Sequence, residues 1–164
     1  MVAAPGELRQ RAWDAAATVV DPEIPALTIA DLGVLRSVSV TDDGVEVTIT
    51  PTYIGCPAMQ MITLDIEMAL ERAGIAGARV KTVLSPAWTT DWLTEEARAK
   101  LAASGIVPPP RTVSRRALFG EEHLACPRCQ STDTERLAEF GSTACKSLYR
   151  CRACREPFEL FKCH

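Results

Sequence analysis

Aromatic residues are scarce in this chain, 5% of its 164 residues, and histidine occurs only twice. Neither histidine has a glutamate three residues before it, so the paired Glu-x-x-His helices of a di-iron carboxylate centre are absent. No G-x-G-x-x-G occurs, which removes the dinucleotide fingerprint and with it the simplest route to hydride chemistry. No apolar run reaches the length of a spanning helix, so no membrane partner is expected. The amino end, Met1-Val-Ala-Ala-Pro-Gly-Glu-Leu, has neither a basic cluster nor an apolar h-region. A secretory signal is therefore not expected, and a cytoplasmic location is. The formal net charge is −3, and no basic run is present to attract nucleic acid. Internal repeats are absent.

What the chain does contain is unevenly placed. Of its seven cysteines, one lies at position 56 and six fall within the last 39 residues. Without a secretory signal, such clustering points to metal binding or thiol chemistry before disulfides. Charge divides at the same place: residues 1–105 carry 8 basic and 14 acidic side chains, net −6, and residues 106–164 carry 10 and 7, net +3. Between them runs Gly105-Ile-Val-Pro-Pro-Pro-Arg-Thr-Val-Ser-Arg-Arg116, where consecutive prolines favour extended geometry. The expected division is an α/β domain over 1–105, a Pro-rich linker over 106–124 and a small cysteine module over 125–164.

Hydrophobic spacing in the first part predicts a helix over about 7–19, from Leu8, Ala12, Ala15, Ala16 and Val19. Alternating Val38, Val40, then Asp42-Asp43-Gly44, then Val45, Val47 and Ile49 predict a hairpin. Ile62, Ile66, Ala69, Leu70 and Ala73 predict a helix over 57–73, with Pro57 in its first turn and Gly74 as its stop. A third strand over 78–84 and a last helix over 92–103 complete the order α-β-β-α-β-α. The fold class is α+β, a small sheet with helices on one face, followed by a ribbon.

Cys56 precedes Pro57 at the mouth of the second helix. There the unpaired amides and the positive end of the helix dipole favour a thiolate, which is a nucleophile and a soft ligand. Free cysteine is equally at home as a small buried hydrophobe, and the residues alone leave both readings open. Asp21 and Glu23, in the Pro-flanked turn Asp21-Pro-Glu-Ile-Pro25, are hard oxygen donors or simply solvated charges at a helix stop.

Several separate blocks carry a resemblance: Asp21-Pro-Glu-Ile-Pro25, Ile29-Ala-Asp-Leu-Gly33, Thr50-Pro-Thr52, Gly55-Cys-Pro57, Ser85-Pro-Ala-Trp-Thr89, Trp92-Leu93 and Gly105-Ile106. Over about residues 7–110 the chain resembles the SufT-like metal–sulfur cluster biosynthesis domain. The resemblance implies an iron–sulfur cluster assembly fold and a role in maturing iron proteins. It also implies that Cys56 is the functional thiol, holding iron or an iron–sulfur cluster transiently, with Asp21 and Glu23 in the signature loop. One thiolate cannot itself hold a cluster, which takes four cysteines as a rule.

In the second part, Cys126-Pro-Arg-Cys129 and Cys151-Arg-Ala-Cys154 form two C-x-x-C knuckles separated by 21 residues. Each knuckle turns two sulfurs toward one point, and two knuckles complete a tetrahedral S₄ site that typically holds structural zinc. Thr134–Glu139, Ser147–Arg150 and Phe158–Phe161 supply the strands of a ribbon. A rubredoxin-like iron centre or an iron–sulfur cluster uses similar cysteines, and the spacing alone leaves them open. Cys145 and Cys163 remain as buried small residues or additional thiols, and His123 and His164 flank the module. Its basic residues read as a solvated face or a protein-docking patch, and nucleic acid is not expected.

Taken together, the two parts resemble the D-subunit family of the bacterial phenylacetyl-CoA epoxidases (PaaD/PaaJ). Phe140-Gly-Ser-Thr-Ala-Cys-Lys146, Tyr149-Arg-Cys151 and Glu156-Pro-Phe158 carry this through the ribbon. The resemblance implies an accessory role in aerobic phenylacetate catabolism, with oxygenase and reductase subunits or other iron proteins as partners. The oxygen chemistry then belongs to those partners, and this chain is not expected to be an enzyme. A structural subunit of the complex and an electron-carrying iron ribbon are the alternatives, and a homodimer is left open.

Overall fold

The computed structural model describes residues 5–109 and 124–162. The chain forms two compact units, Met1–Ala97 and Arg98–His164, each considered by itself. Among the described residues no helix is long and apolar enough to cross a membrane.

The first unit packs two helices against a three-stranded sheet. Strands β1 (Leu35–Thr41) and β2 (Gly44–Ile49) form an antiparallel hairpin, and β3 (Arg79–Thr82) joins β2 in parallel. A parallel pair requires a crossover, and helix α2 (Ala58–Arg72) provides it. Val45, Val47 and Ile49 alternate inward along β2, while Ile62, Ile66 and Leu70 follow one another at four-residue spacing along α2, all buried. Helix α1 (Pro5–Ala17) packs against both α2 and β1, and its buried contacts are the small Ala12 and Ala16. Arg11 at its outer edge donates to the carbonyl of Ala73 at 2.7 Å, placing a cation at the negative end of α2.

The signature blocks of the sequence meet in space. Trp88 donates from Nε1 to the carbonyl of Leu32 at 2.8 Å. Gly33 adopts φ +69°, and a Cβ there would stand 2.7 Å from the Cβ of Trp92, so only glycine fits. The guanidinium of Arg36 lies 3.4 Å from the Trp92 ring centroid. Asp-Leu-Gly33 and Trp92 are thus two sides of one close approach.

Element boundaries shift by one to three residues from the sequence reading, and three of the shifts have a local cause. Helix α1 ends at Ala17 rather than 19 because Val20 leaves to bridge with Thr28. Pro57 is the N-cap of α2 rather than part of its first turn. Helix α3 (Glu95–Ala103) begins three residues late, because Thr90–Trp92 form a 3-10 turn and the Thr94 hydroxyl then caps the Ala97 N–H at 3.0 Å.

In the second unit, β5 (Thr134–Ala138), β6 (Lys146–Cys151) and β7 (Pro157–Phe161) form an antiparallel ribbon. A fourth strand, β4 (Ile106–Val107), adds in parallel to β7. The segment expected as a linker therefore opens with paired backbone, and its residues 110–123 lie outside the described residues. One cluster of the ribbon core gathers buried Cys126, Cys151 and Phe158, with Val107, Tyr149 and Cys154 packed against them, and Leu124, Cys145, Leu160 and Phe161 are buried as well. Tyr149 stacks on Phe158 with ring centroids 5.8 Å apart.

Ile66 is fully buried at the centre of α2. Ile66→Ala is expected to cost about 2–5 kcal/mol, through lost burial and the cavity left behind. Urea unfolding followed by circular dichroism measures it, and a loss below about 1 kcal/mol would show that α2 does not anchor the sheet.

Candidate thiol and metal sites

Two sulfur sites lie one in each unit. The first is at the entrance to α2. The loop after β2 turns through a hydrogen bond from the Cys56 N–H to the Tyr53 carbonyl at 3.3 Å. The same turn sets the Tyr53 hydroxyl against the Cys56 sulfur, which also receives the Ala58 N–H. The sulfur is half-buried, so it is neither sealed in the core nor freely solvated.

Asp21 and Glu23 approach the same thiol closely enough for their charge to act on it. Asp21 is buried, and its Oδ1 accepts the N–H groups of Glu23 at 2.8 Å and Ile24 at 2.9 Å. That arrangement makes Asp21 the keystone of its own turn and fixes Glu23 beside Cys56. The structure thus brings together Cys56, Asp21 and Glu23, and it adds Tyr53, which the sequence reading passed over. Its signal was present: a tyrosine three residues before the cysteine, within one turn.

The electrostatics depart from the expectation of a ready thiolate. Burial pushes the Cys56 thiol above the ordinary range, and this outweighs the Ala58 N–H and the Tyr53 hydroxyl, which favour the anion. The negative charges of Glu23 and Asp21 push the same way. The first-turn amides are at work, but desolvation prevails, and the resting group is a protonated thiol. Just after β2, the Thr50 hydroxyl is buried with no hydrogen-bond partner among the described residues.

The second site gathers four sulfurs. Cys126 and Cys154 stand 3.6 Å apart at Sγ, as do Cys129 and Cys151. All four lie within 4.8 Å of one another, and among the described residues they are the only such group of His, Cys, Asp or Glu side chains. Thiolates ~2.3 Å from a tetrahedral zinc stand about 3.8 Å apart, so these sulfurs fit one ion. The knuckles are near copies. Gln130 and Arg155, each directly after the second cysteine, adopt φ +62° and φ +64°. The N–H of Cys154 points at the Cys151 sulfur at 3.5 Å. That bond is the main reason the Cys151 thiol falls to about 7. Cys154 receives the Glu156 N–H, yet burial and its sulfur neighbours push it up to about 12. Crowded sulfurs cannot all ionise unless a cation shares the charge.

Cys145 lies outside this group. It is buried, and its sulfur meets the Thr143 hydroxyl at 3.0 Å. Cys163, His123 and His164 lie outside the described residues.

Comparison with known proteins covers both parts of the chain. The family described as iron-sulfur cluster assembly protein matches residues 9–85, and the PaaD zinc beta ribbon domain matches 110–162. The D component of the "Putative 1,2-phenylacetyl-CoA epoxidase" of Escherichia coli (strain K12) is 47% identical over 151 residues, covering 92% of this chain and 90% of that one. The chain belongs to this D-subunit family. The Fe-S protein maturation auxiliary factor SufT of Staphylococcus aureus (strain USA300) is 36% identical over 88 residues, 52% of this chain and 99% of that protein. A crystal structure of a domain of unknown function, DUF59, from Bacillus anthracis shares the fold, with a TM-score of 0.55 at 24% identity. It covers 59% of this chain and 93% of that domain.

Because the Cys56 thiol is held protonated, its alkylation by iodoacetamide is expected to rise about tenfold per pH unit from pH 7 to beyond 9. Peptide mass mapping follows Cys56 separately from the ribbon cysteines. Tyr53→Phe removes a group that favours the thiolate, so alkylation at pH 8 slows further. A plateau between pH 7 and 8 would mean an activated thiolate instead.

Proposed function

We propose that the chain is a non-catalytic accessory subunit of a phenylacetyl-CoA epoxidase system in the cytoplasm. It assists the assembly, insertion or repair of an iron or iron–sulfur centre in the oxygenase, its reductase or another iron protein. The observation that carries this reading is the half-exposed Cys56, set beside Asp21, Glu23 and Tyr53 within the part matching iron-sulfur cluster assembly proteins. Iron, free or in a cluster, is cargo here. One thiol gives a single bond, so Cys56 acts with ligands from the client or with small-molecule thiols. A thiol that rests protonated gives up its proton as iron binds and regains it on release, which suits brief ligation better than a permanent site.

In this reading the ribbon is a docking module held folded by zinc on Cys126, Cys129, Cys151 and Cys154. When bound, the ion supplies charge neutralisation and cross-linking. A core of this size cannot hold a ribbon by apolar burial alone, so metal binding and folding are one equilibrium.

Cys56→Ser is expected to keep the fold and ribbon metal while lowering the iron content of co-expressed oxygenase or reductase several-fold. Elemental analysis of the purified partners measures this, and normal partner iron in the variant overturns the role of Cys56. Cys126→Ser is expected to abolish a single equivalent of zinc and to melt the ribbon, seen as lost protection of β5–β7 amides in hydrogen exchange. A coloured wild-type protein with one equivalent of iron bound to the ribbon would replace the structural zinc with a redox centre.

A further inference from the structure

Three of the four methionines in the chain, Met59, Met61 and Met68, lie on α2. Two of them join Leu64 in a line on the side away from the core: Met61 is 51% exposed, Leu64 54% and Met68 43%. The buried line Ile62, Ile66 and Leu70 already anchors the helix, so this second apolar line has no task within the unit. Its spacing, three residues and then four, is the a, d, a repeat by which one helix lies along another. Methionine suits such a surface, because its unbranched thioether adapts to a partner's shape.

The edges of the line are acidic. Asp65 occupies the position after d, Glu67 the position before the second a, and Glu71 the next d. No ion pair engages any of these carboxylates among the described residues, and α2 carries no basic side chain before Arg72. In paired helices, the residues flanking the seam choose the partner through charge.

We propose that this face of α2 docks an amphipathic helix of a partner protein, one with apolar anchors at i, i+3 and i+7 and lysine or arginine on its flanks. A second copy of this chain would set Asp65 and Glu67 against carboxylates and is disfavoured. The inference rests on the proposed function in one respect: the partner is the iron-protein client. Cys56 precedes Met61 by five residues, roughly 8 Å of helix rise, so a helix lying along α2 brings one end to the thiol.

The test uses the full chain, zinc-loaded, and a fluorescein-labelled 18-residue peptide with leucine at a and d and lysine at e and g. A matched peptide carries glutamate at e and g. Fluorescence anisotropy is expected to show the lysine peptide binding at least tenfold more tightly than the glutamate peptide. Leu64→Gln with Met68→Gln weakens it at least tenfold, and Asp65→Lys with Glu67→Lys reverses the preference, with helix content unchanged by circular dichroism. Equal binding of both peptides, or undiminished binding to the Leu64/Met68 variant, overturns the proposal. So does a wild-type dimer in sedimentation that the same variant dissociates, since the face then belongs to a second copy. Cys56→Ser keeps peptide binding, so failure of the thiol role and failure of the docking face are read separately.

Discussion

A helix of fifteen residues has a limited circumference, and α2 commits one side of its own to the core. Ile62, Ile66 and Leu70 form its buried line, and the helix packs against β3 and α1. Because that contact fixes the rotation and height of the helix, it also fixes where the entry loop delivers Cys56. The parallel pairing of β2 with β3 reinforces the constraint, since the crossover must start at one end of the sheet and finish at the other.

The balance at Cys56 runs against the simplest picture of a helix-entrance cysteine. Amides at a helix start and a phenol hydroxyl both favour the anion, yet half-burial and two carboxylates favour the neutral group. Local geometry and environment oppose one another, and the environment prevails. In the ribbon the opposite holds. Cys126, Cys129, Cys151 and Cys154 are held so near one another that a cation is the natural partner for their combined charge. One sulfur is tuned to remain uncommitted, and four are arranged to commit together.

Much of this was legible beforehand, for identifiable reasons. The strands and helices of the first unit announce themselves because their periods of two and 3.6 are cleanly written in Val45-x-Val47-x-Ile49 and in Ile62, Ile66 and Leu70. The four ribbon ligands are equally plain, because a C-x-x-C turn is a local structure and two of them have little else to do. Errors fell at boundaries settled by contacts from elsewhere: Val20 leaves α1 to bridge with Thr28, and Ile106–Val107 become a strand only because β7 offers a free edge.

Sequence alone determined the elements, the pairing of knuckles and the choice of Cys56 as the residue to watch, since each rests on spacing within a short stretch. Tertiary structure alone decided the state of that thiol and its company. Asp21, Glu23 and Tyr53 reach it from two different loops, and the desolvation that keeps it protonated comes from the packing around it. Proximity between distant segments and exclusion of water are properties of the assembled fold, and no run of residues encodes them locally.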